Sequence, residues 1–219
     1  MPLAQLAARA FGIGDLGANP VQQVQHTLGT TALNLLLLTL TVTPLRRLTG
    51  QNWLVGLRRS LGLLAFAYAA LHALSYVALD QRFDWPVLLV DVTERPWITV
   101  GFLALLLLVP LAVTSTNAMQ RRLGRRWTTL HRTVYAIAIL GVLHFFWQVK
   151  LDASEPLLYA LMLAALLGLR IVDWARRRRR ARSIDAKAPV AAPAHVIHPP
   201  ETGREARDQR DGQRAEHPS

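Results

Sequence analysis

The chain has no cysteine, which excludes disulfides, thiolate metal sites, iron–sulfur clusters and a haem tethered through Cys-x-x-Cys-His. A bound metal would have to be held by histidine, carboxylate or main chain. Acids are scarce too, with 14 Asp and Glu against 25 Lys and Arg, a formal net charge of +11. Neither a Rossmann glycine fingerprint nor a phosphate loop occurs, so no nucleotide-binding domain is expected. The stretch from Met1 to Pro20 shows no basic region followed by a clean apolar run and a small-residue cleavage site, so no removable signal peptide is expected. No internal repeat stands out.

Apolar residues dominate what is present. Of 219 residues 52% are hydrophobic and the mean hydropathy is +0.23, so apolar and basic residues must be segregated along the chain, as in a membrane protein. Stretches 30–45, 60–79, 96–113, 133–149 and 156–174 are long and apolar enough to cross about 30 Å of hydrocarbon as helices. The first is at the lower limit of a span. Pro110 is expected to kink the third or to mark its end. The expected fold class is all-α, a polytopic transmembrane bundle of five spans.

The connections set the orientation. Those after the first and third spans carry Arg46, Arg47, Arg58 and Arg59, then Arg121, Arg122, Arg125, Arg126 and Arg132, and the fifth span ends in Arg176 to Arg180. The opposite connections hold Asp80, Arg82, Asp84, Asp91, Glu94 and Arg95, then Lys150, Asp152 and Glu155, and are mixed or net acidic. By the positive-inside rule the arginine-rich ends are cytoplasmic and the N-terminus is outside. Beyond Ala181 large apolar residues all but vanish, the composition of a disordered cytoplasmic tail. The expected layout is an outer-side segment 1–29, a bundle 30–180 and a tail 181–219. The arginine runs read as topology signals that touch anionic headgroups. Nucleic acid is not expected as a partner, because neither aromatic interleaving nor a presenting fold accompanies the charge.

Seven histidines occur. His195, His198 and His217 fall in the tail and read as solvated. His26 precedes the first span and reads as a headgroup-facing residue, with contact to a partner protein or a haem propionate as alternatives. An imidazole inside a span is costly without a partner, so the remaining three carry functional weight. His72 lies about 13 residues beyond Arg58 and Arg59, roughly 20 Å along a helix. His144 lies the same distance beyond His131, which sits beside Arg125, Arg126 and Arg132. His72 and His144 therefore reach one depth from different helices. Two neutral imidazoles facing across a bundle are what a b-type haem requires, and Phe66, Tyr68, Leu71, Tyr76, Leu143, Phe145, Phe146 and Trp147 are candidates to line the slot. The alternative is two unrelated imidazoles bonded to nearby backbone or hydroxyl groups.

His131 stands at the cytoplasmic mouth as a possible inner haem ligand. Fourteen residues before His72 is Arg58, which does not ligate iron but can pair with a propionate, a quinone oxygen or a flavin phosphate. Arg58, Arg59, Arg126 and Trp127 with His131 form a candidate inner site. On an ideal helix His131 and His144 point about 140° apart; sharing a face would require a π-bulge or a strong tilt.

The stretches "PVQQVQHTLGTTALNLLLLTLTVTPLRRL", "RRSLGLLAFAYAALHALSY", "RPWITVGFLALLLLVPLAVTSTNAMQRRLGRRWTTLH" and "VYAIAILGVLHFFWQVK" resemble the MsrQ family, the haem-binding membrane subunit of the MsrPQ protein-methionine-sulfoxide reductase system, within the ferric-reductase-like transmembrane group. The similarity covers roughly Leu16 to Arg170, and Thr-Ser-Thr-x-Ala-Met-Gln-Arg with the following Arg-Trp-x-x-Leu-His is its most specific part. The resemblance implies a bacterial inner-membrane cytochrome with haem b and FMN as cofactors. It would take electrons from membrane quinone and pass them to a periplasmic molybdopterin enzyme, MsrP, that repairs oxidised periplasmic proteins. Carried over by motif, His72 and His144 fit the outer haem ligands, His131 the inner histidine and Arg58 the inner-site arginine. The family usually has six spans, with a helix ahead of "LGANP", against the five expected here.

Methionine sulfoxide reduction itself is expected on the partner, since this chain has neither the thiol nor the metal-pterin chemistry. Two other functions compete: a stand-alone ferric or quinone reductase of the same fold, and a redox-silent membrane scaffold or transporter.

Overall fold

The computed structural model describes residues 19–149 and 153–187. Every regular element among them is helical: α1 (Pro20–Thr49), α2 (Leu54–Ser75) with a π-helical turn (Tyr76–Asp80), α3 (Trp85–Glu94), α4 (Pro96–Val113), α5 (Asn117–Leu123), α6 (Arg125–His131), α7 (Val134–Gln148) and α8 (Ser154–Lys187). Five helical stretches have the length and hydropathy of membrane spans: Pro20–Thr49, Leu54–Asp80, Pro96–Val113, Arg125–Gln148 and Ser154–Arg179. The chain is thus an all-α, multi-pass membrane protein.

The first span is longer than expected. Asn19 caps α1 by accepting the Gln22 amide at 3.2 Å, and Pro20 occupies its first turn. The polar residues that made 20–29 read as a separate segment are absorbed into the helix. Thr27, Thr30 and Thr31 return their hydroxyls to the carbonyls of Gln23, His26 and Thr27, so no hydroxyl is left unpaired in an apolar setting. The third span matches its expected bounds, with Pro110 inside α4 about one turn from its end. Residues 125–148 differ from a continuous span, because a turn at Arg132–Thr133 separates α6 from α7.

Two helices were not expected. The short α5 starts at Thr116, whose hydroxyl accepts the Met119 amide. The other, α3, is capped by Asp84 and exposes Trp85, Leu89 and Val90. At the other end of the chain α8 continues past the expected boundary at Ala181 to Lys187; the rest of the expected tail, 188–219, lies outside the described residues. Met1–Trp174 forms one compact unit and Ala175–Ser219 a second, of which the described part is the arginine-rich end of α8.

Within the first unit α1 packs along α2 and α4 along α7, and contacts of α2 with α4 and of α1 with α7 join the pairs. Leu36, Leu37, Leu40, Ala65, Ile137 and Ala138 form the buried centre. Large apolar residues such as Leu74, Leu106, Leu158 and Ile171 stay exposed, as they must where the surrounding medium is hydrocarbon. One charged residue in α8 is matched by partners. Arg170 donates to the Tyr135 hydroxyl and to the Leu40 carbonyl, and its guanidinium lies 4.9 Å from the Tyr135 ring centroid. Nearby, Arg47 pairs with Asp173.

Candidate functional site

A cavity of ≈ 310 Å³ opens between the two helix pairs, within the range of small-ligand sites. His72 on α2 and His144 on α7 both line it, their ring centroids 6.1 Å apart and their planes at 73°. Each ring is held from behind. His72 Nδ1 donates to the Gln25 carbonyl at 3.0 Å and His144 Nδ1 to the Trp97 carbonyl at 2.6 Å. With the proton on Nδ1, Nε2 carries the lone pair, and neither Nε2 has a hydrogen-bond partner among the described residues.

Two glycines make this placement possible. A Cβ on Gly29 would stand 3.2 Å from His72 Cε1, and one on Gly101 only 2.7 Å from His144 Nδ1. The imidazoles therefore lie flat against bare backbone on α1 and α4. Small residues, Ala65, Ala69 and Gly141, keep the space between the helices open.

These features fit a bis-histidine haem. Two imidazoles on one metal, each with a metal–nitrogen bond of about 2 Å and a ring radius of about 1.2 Å, put their centroids roughly 6.4 Å apart. A metal-bound histidine also gives its other N–H to a carbonyl or carboxylate, which fixes tautomer and ring orientation. Here both histidines do so. Of the residues expected around the slot, Tyr76 and Phe145 line it, Phe66, Tyr68 and Leu143 do not, and Leu71, Phe146 and Trp147 are exposed. Immediate neighbours of a helical residue project away from it; the residues one turn removed, Ala69, Tyr76 and Gly141, share its face.

The candidate inner site is partly assembled. Trp127 stacks on His131 with centroids 3.9 Å apart, and its Nε1 donates to the Thr114 carbonyl at 2.9 Å. The Thr114 hydroxyl lies 3.1 Å from His131 Nε2, and Arg58 is close enough to act on His131 electrostatically. Arg59 instead donates to Asn117 Oδ1 at 2.8 Å, and Arg126 is exposed with no hydrogen bond or ion pair among the described residues. Those two are not brought to His131. The angular problem is resolved by the turn at Arg132–Thr133, because His131 and His144 both meet α4, at Thr114 and Trp97. His26 is exposed at the cavity mouth, 3.7 Å from Glu155.

The two histidines are supported at the same spacing along the chain. Gln25, Gly29 and His72 recur as Trp97, Gly101 and His144, each 72 positions later, and both histidine bonds span 47 residues. Reading the sequence missed Gln25, Gly29, Trp97 and Gly101. The paired Gly-x₄₂-His spacing was the available signal.

Residues 28–142 match the family model described as "Ferric reductase like transmembrane component". Three similar proteins share the name "Protein-methionine-sulfoxide reductase heme-binding subunit MsrQ". The Rhodospirillum rubrum protein is 52% identical over 184 residues, 84% of this chain and 88% of that one. The Xanthomonas campestris protein is 51% identical over 181 residues, 83% and 82% of the two chains. The Bordetella pertussis protein is 53% identical over 180 residues, 80% and 87%. With half its length matched by the ferric-reductase-like model and about half of the aligned residues identical to these relatives over most of the chain, the chain belongs to the MsrQ family.

Proposed function

We propose that the chain is an inner-membrane b-type cytochrome that takes electrons from membrane quinol and delivers them to a periplasmic MsrP-type molybdopterin reductase of methionine sulfoxide. The observation that carries this reading is the His72–His144 pair, two imidazoles with Nε2 lone pairs turned to one cavity and Nδ1 protons committed to backbone carbonyls. A haem supplies a one-electron store when bound there. The chain's part is to present two ligands in one tautomer, to exclude water with the apolar walls of α1, α2, α4 and α7, and to hold the cavity open on the side of the membrane where the acceptor binds.

The arginine-rich ends are cytoplasmic in this reading, and electrons enter there. Arg58, Trp127 and His131 are the residues we assign to a second haem, quinol or FMN, since a guanidinium and a stacked indole–imidazole pair suit a propionate, a quinone oxygen or a flavin phosphate. The sulfoxide chemistry belongs to the partner.

The test is the reduced-minus-oxidised spectrum of the detergent-purified protein beside His72→Ala and His144→Ala. A b-type α-band in wild type, lost in both variants, is the expected result. No band in haem-replete wild type would return the histidines to a structural role. The match to a ferric-reductase-like component favours a second reading, direct reduction of a small acceptor; turnover of a ferric chelate by the purified chain without any periplasmic partner would support it.

A further inference from the structure

The cavity is graded along its length. Leu36, Ala65, Leu108 and Ile137 line one end; Gln25, Tyr76, Asp80, Arg95 and Gln148 line the other, where α1 and α4 begin. Arg95 is the one Lys or Arg among the described lining residues. Its Nε forms an ion pair with Asp91 Oδ1 at 3.0 Å. Asp91 is 6% exposed, and its Oδ2 accepts the Tyr76 hydroxyl at 2.6 Å and Gln81 Nε2 at 2.8 Å. A carboxylate fixed on both oxygens thus pins Arg95 by one nitrogen. Its Nη1 and Nη2 have no partner among the described residues, leaving a planar pair of donors of the shape that matches a carboxylate.

Gln25, on α1, adds a second unmet donor at the same end of the cavity. Its Nε2 is buried and has no hydrogen-bond partner among the described residues, a cost that one rotation toward a ligand oxygen would remove. The other titratable side chains at the mouth are Asp80, which is exposed, and His26, which sits beside Glu155.

We infer that Arg95 and Gln25 hold the carboxylates of the tetrapyrrole, so that its acidic edge lies at the α1/α4 mouth and its hydrocarbon edge points toward Leu36 and Leu108. This rests on the haem reading of His72 and His144. An iron porphyrin has its two propionates on one side of an otherwise apolar disc, and the cavity has the same polarity.

The test is an absorbance titration of purified apoprotein with haem b and with its dimethyl ester, in wild type, Arg95→Leu and Gln25→Leu. Esterification should weaken binding to wild type by roughly tenfold or more, the range for hydrogen bonds to a charged group. Arg95→Leu should weaken haem binding by about as much and Gln25→Leu by several-fold, and both should bind haem and ester with more nearly equal constants. An ester that binds wild type as tightly as haem overturns the inference, and needs no variant to fold. So does an ester penalty that persists undiminished in both variants, which would place the carboxylates elsewhere. Failure of the underlying reading looks different: wild type would show no b-type spectrum, or that spectrum would survive His72→Ala.

Discussion

The His72 and His144 rings stand edge to face, 6.1 Å between centroids, and each is fixed by a carbonyl 47 residues earlier in the chain. Neither ring can turn without losing its Nδ1 bond, worth about 0.5–1.5 kcal/mol. The pair is therefore preset for a ligand by backbone from α1 and α4, helices that contribute no ligand themselves.

Replacing the glycines behind the rings should disturb the pair unequally. In Gly101→Ala the new Cβ would lie 2.7 Å from His144 Nδ1, so the ring must leave its place and its bond to Trp97. In Gly29→Ala the nearest ring atom is 3.2 Å away, and a shift of a few tenths of an ångström relieves it. Off-rotamer strain plus one lost bond amounts to about 1–3 kcal/mol, so Gly101→Ala should bind haem roughly tenfold to hundredfold more weakly and Gly29→Ala about threefold. Equal affinities in an absorbance titration would show that the rings do not depend on bare backbone.

Asp91 should prove structural as well as positional. Asp91→Ala removes the acceptor shared by the Tyr76 hydroxyl and Gln81 Nε2, which keep only their bond to each other, and the ion-pair partner of Arg95, a loss of about 2–4 kcal/mol even with the contribution of the half-exposed arginine discounted. Tyr76→Phe removes two bonds, the one the hydroxyl donates to Asp91 and the one it accepts from Gln81, but leaves the carboxylate with its other partners, and should cost about 1–2 kcal/mol. Thermal unfolding in detergent, followed by tryptophan fluorescence, should rank Asp91→Ala well below Tyr76→Phe. Coincident transitions would mean the network adds nothing to the join between α2 and α3.

Much of this architecture is legible in the sequence because hydrocarbon imposes long apolar runs, and 96–113 was recoverable to the residue. Less legible were elements whose logic is local. The start of α1 was hidden by glutamine, histidine and threonine, because hydroxyls that return to the carbonyl four residues back cannot be told from loop hydroxyls by composition. The amphipathic α3 carries Asp91 and Glu94, and its acids read as a connection. His72 and His144 were found by counting residues from the arginines, which measures depth. Gly29 and Gly101 were not found, since a close approach between helices depends on which faces meet. The matched supports escaped for a related reason: Gln25 and Trp97 do the same work through their carbonyls, and a carbonyl leaves no trace in residue type.

Sidedness rests on arginine placement and can be read directly. Alkaline phosphatase fused in the Gln81–Phe83 connection should be active, and fused at Gly50–Asn52 or at Gly124 it should be silent, because the first lies among mixed charges and the others beside Arg46, Arg47, Arg58, Arg59, Arg121 and Arg122. The opposite pattern would invert the bundle. Electrons would then have to enter at the cavity mouth that now faces the proposed acceptor.

The Trp127–His131–Thr114 cluster, proposed as the point of electron entry, can be tested apart from the His72–His144 pair. His131 is bonded to Thr114, stacked on Trp127 and near Arg58, and it belongs to α6, apart from the helix that carries His144. His131→Ala should therefore keep the b-type band that depends on His72 and His144, and keep its reduction by dithionite. Reduction by a quinol should slow by about tenfold, equivalent to about 1.4 kcal/mol, and Arg58→Gln should follow the same pattern. Trp127→Phe retains an aromatic face for His131 but gives up the bond to the Thr114 carbonyl, so its loss should be smaller, about threefold or about 0.7 kcal/mol. Stopped-flow absorbance with both reductants distinguishes the cases. If quinol reduces His131→Ala at the wild-type rate, the cluster only packs α6 against α4, and the entry point must be sought elsewhere at the arginine-rich end. If dithionite reduction fails as well, His131 supports the same haem as His72 and His144, and the two sites are one.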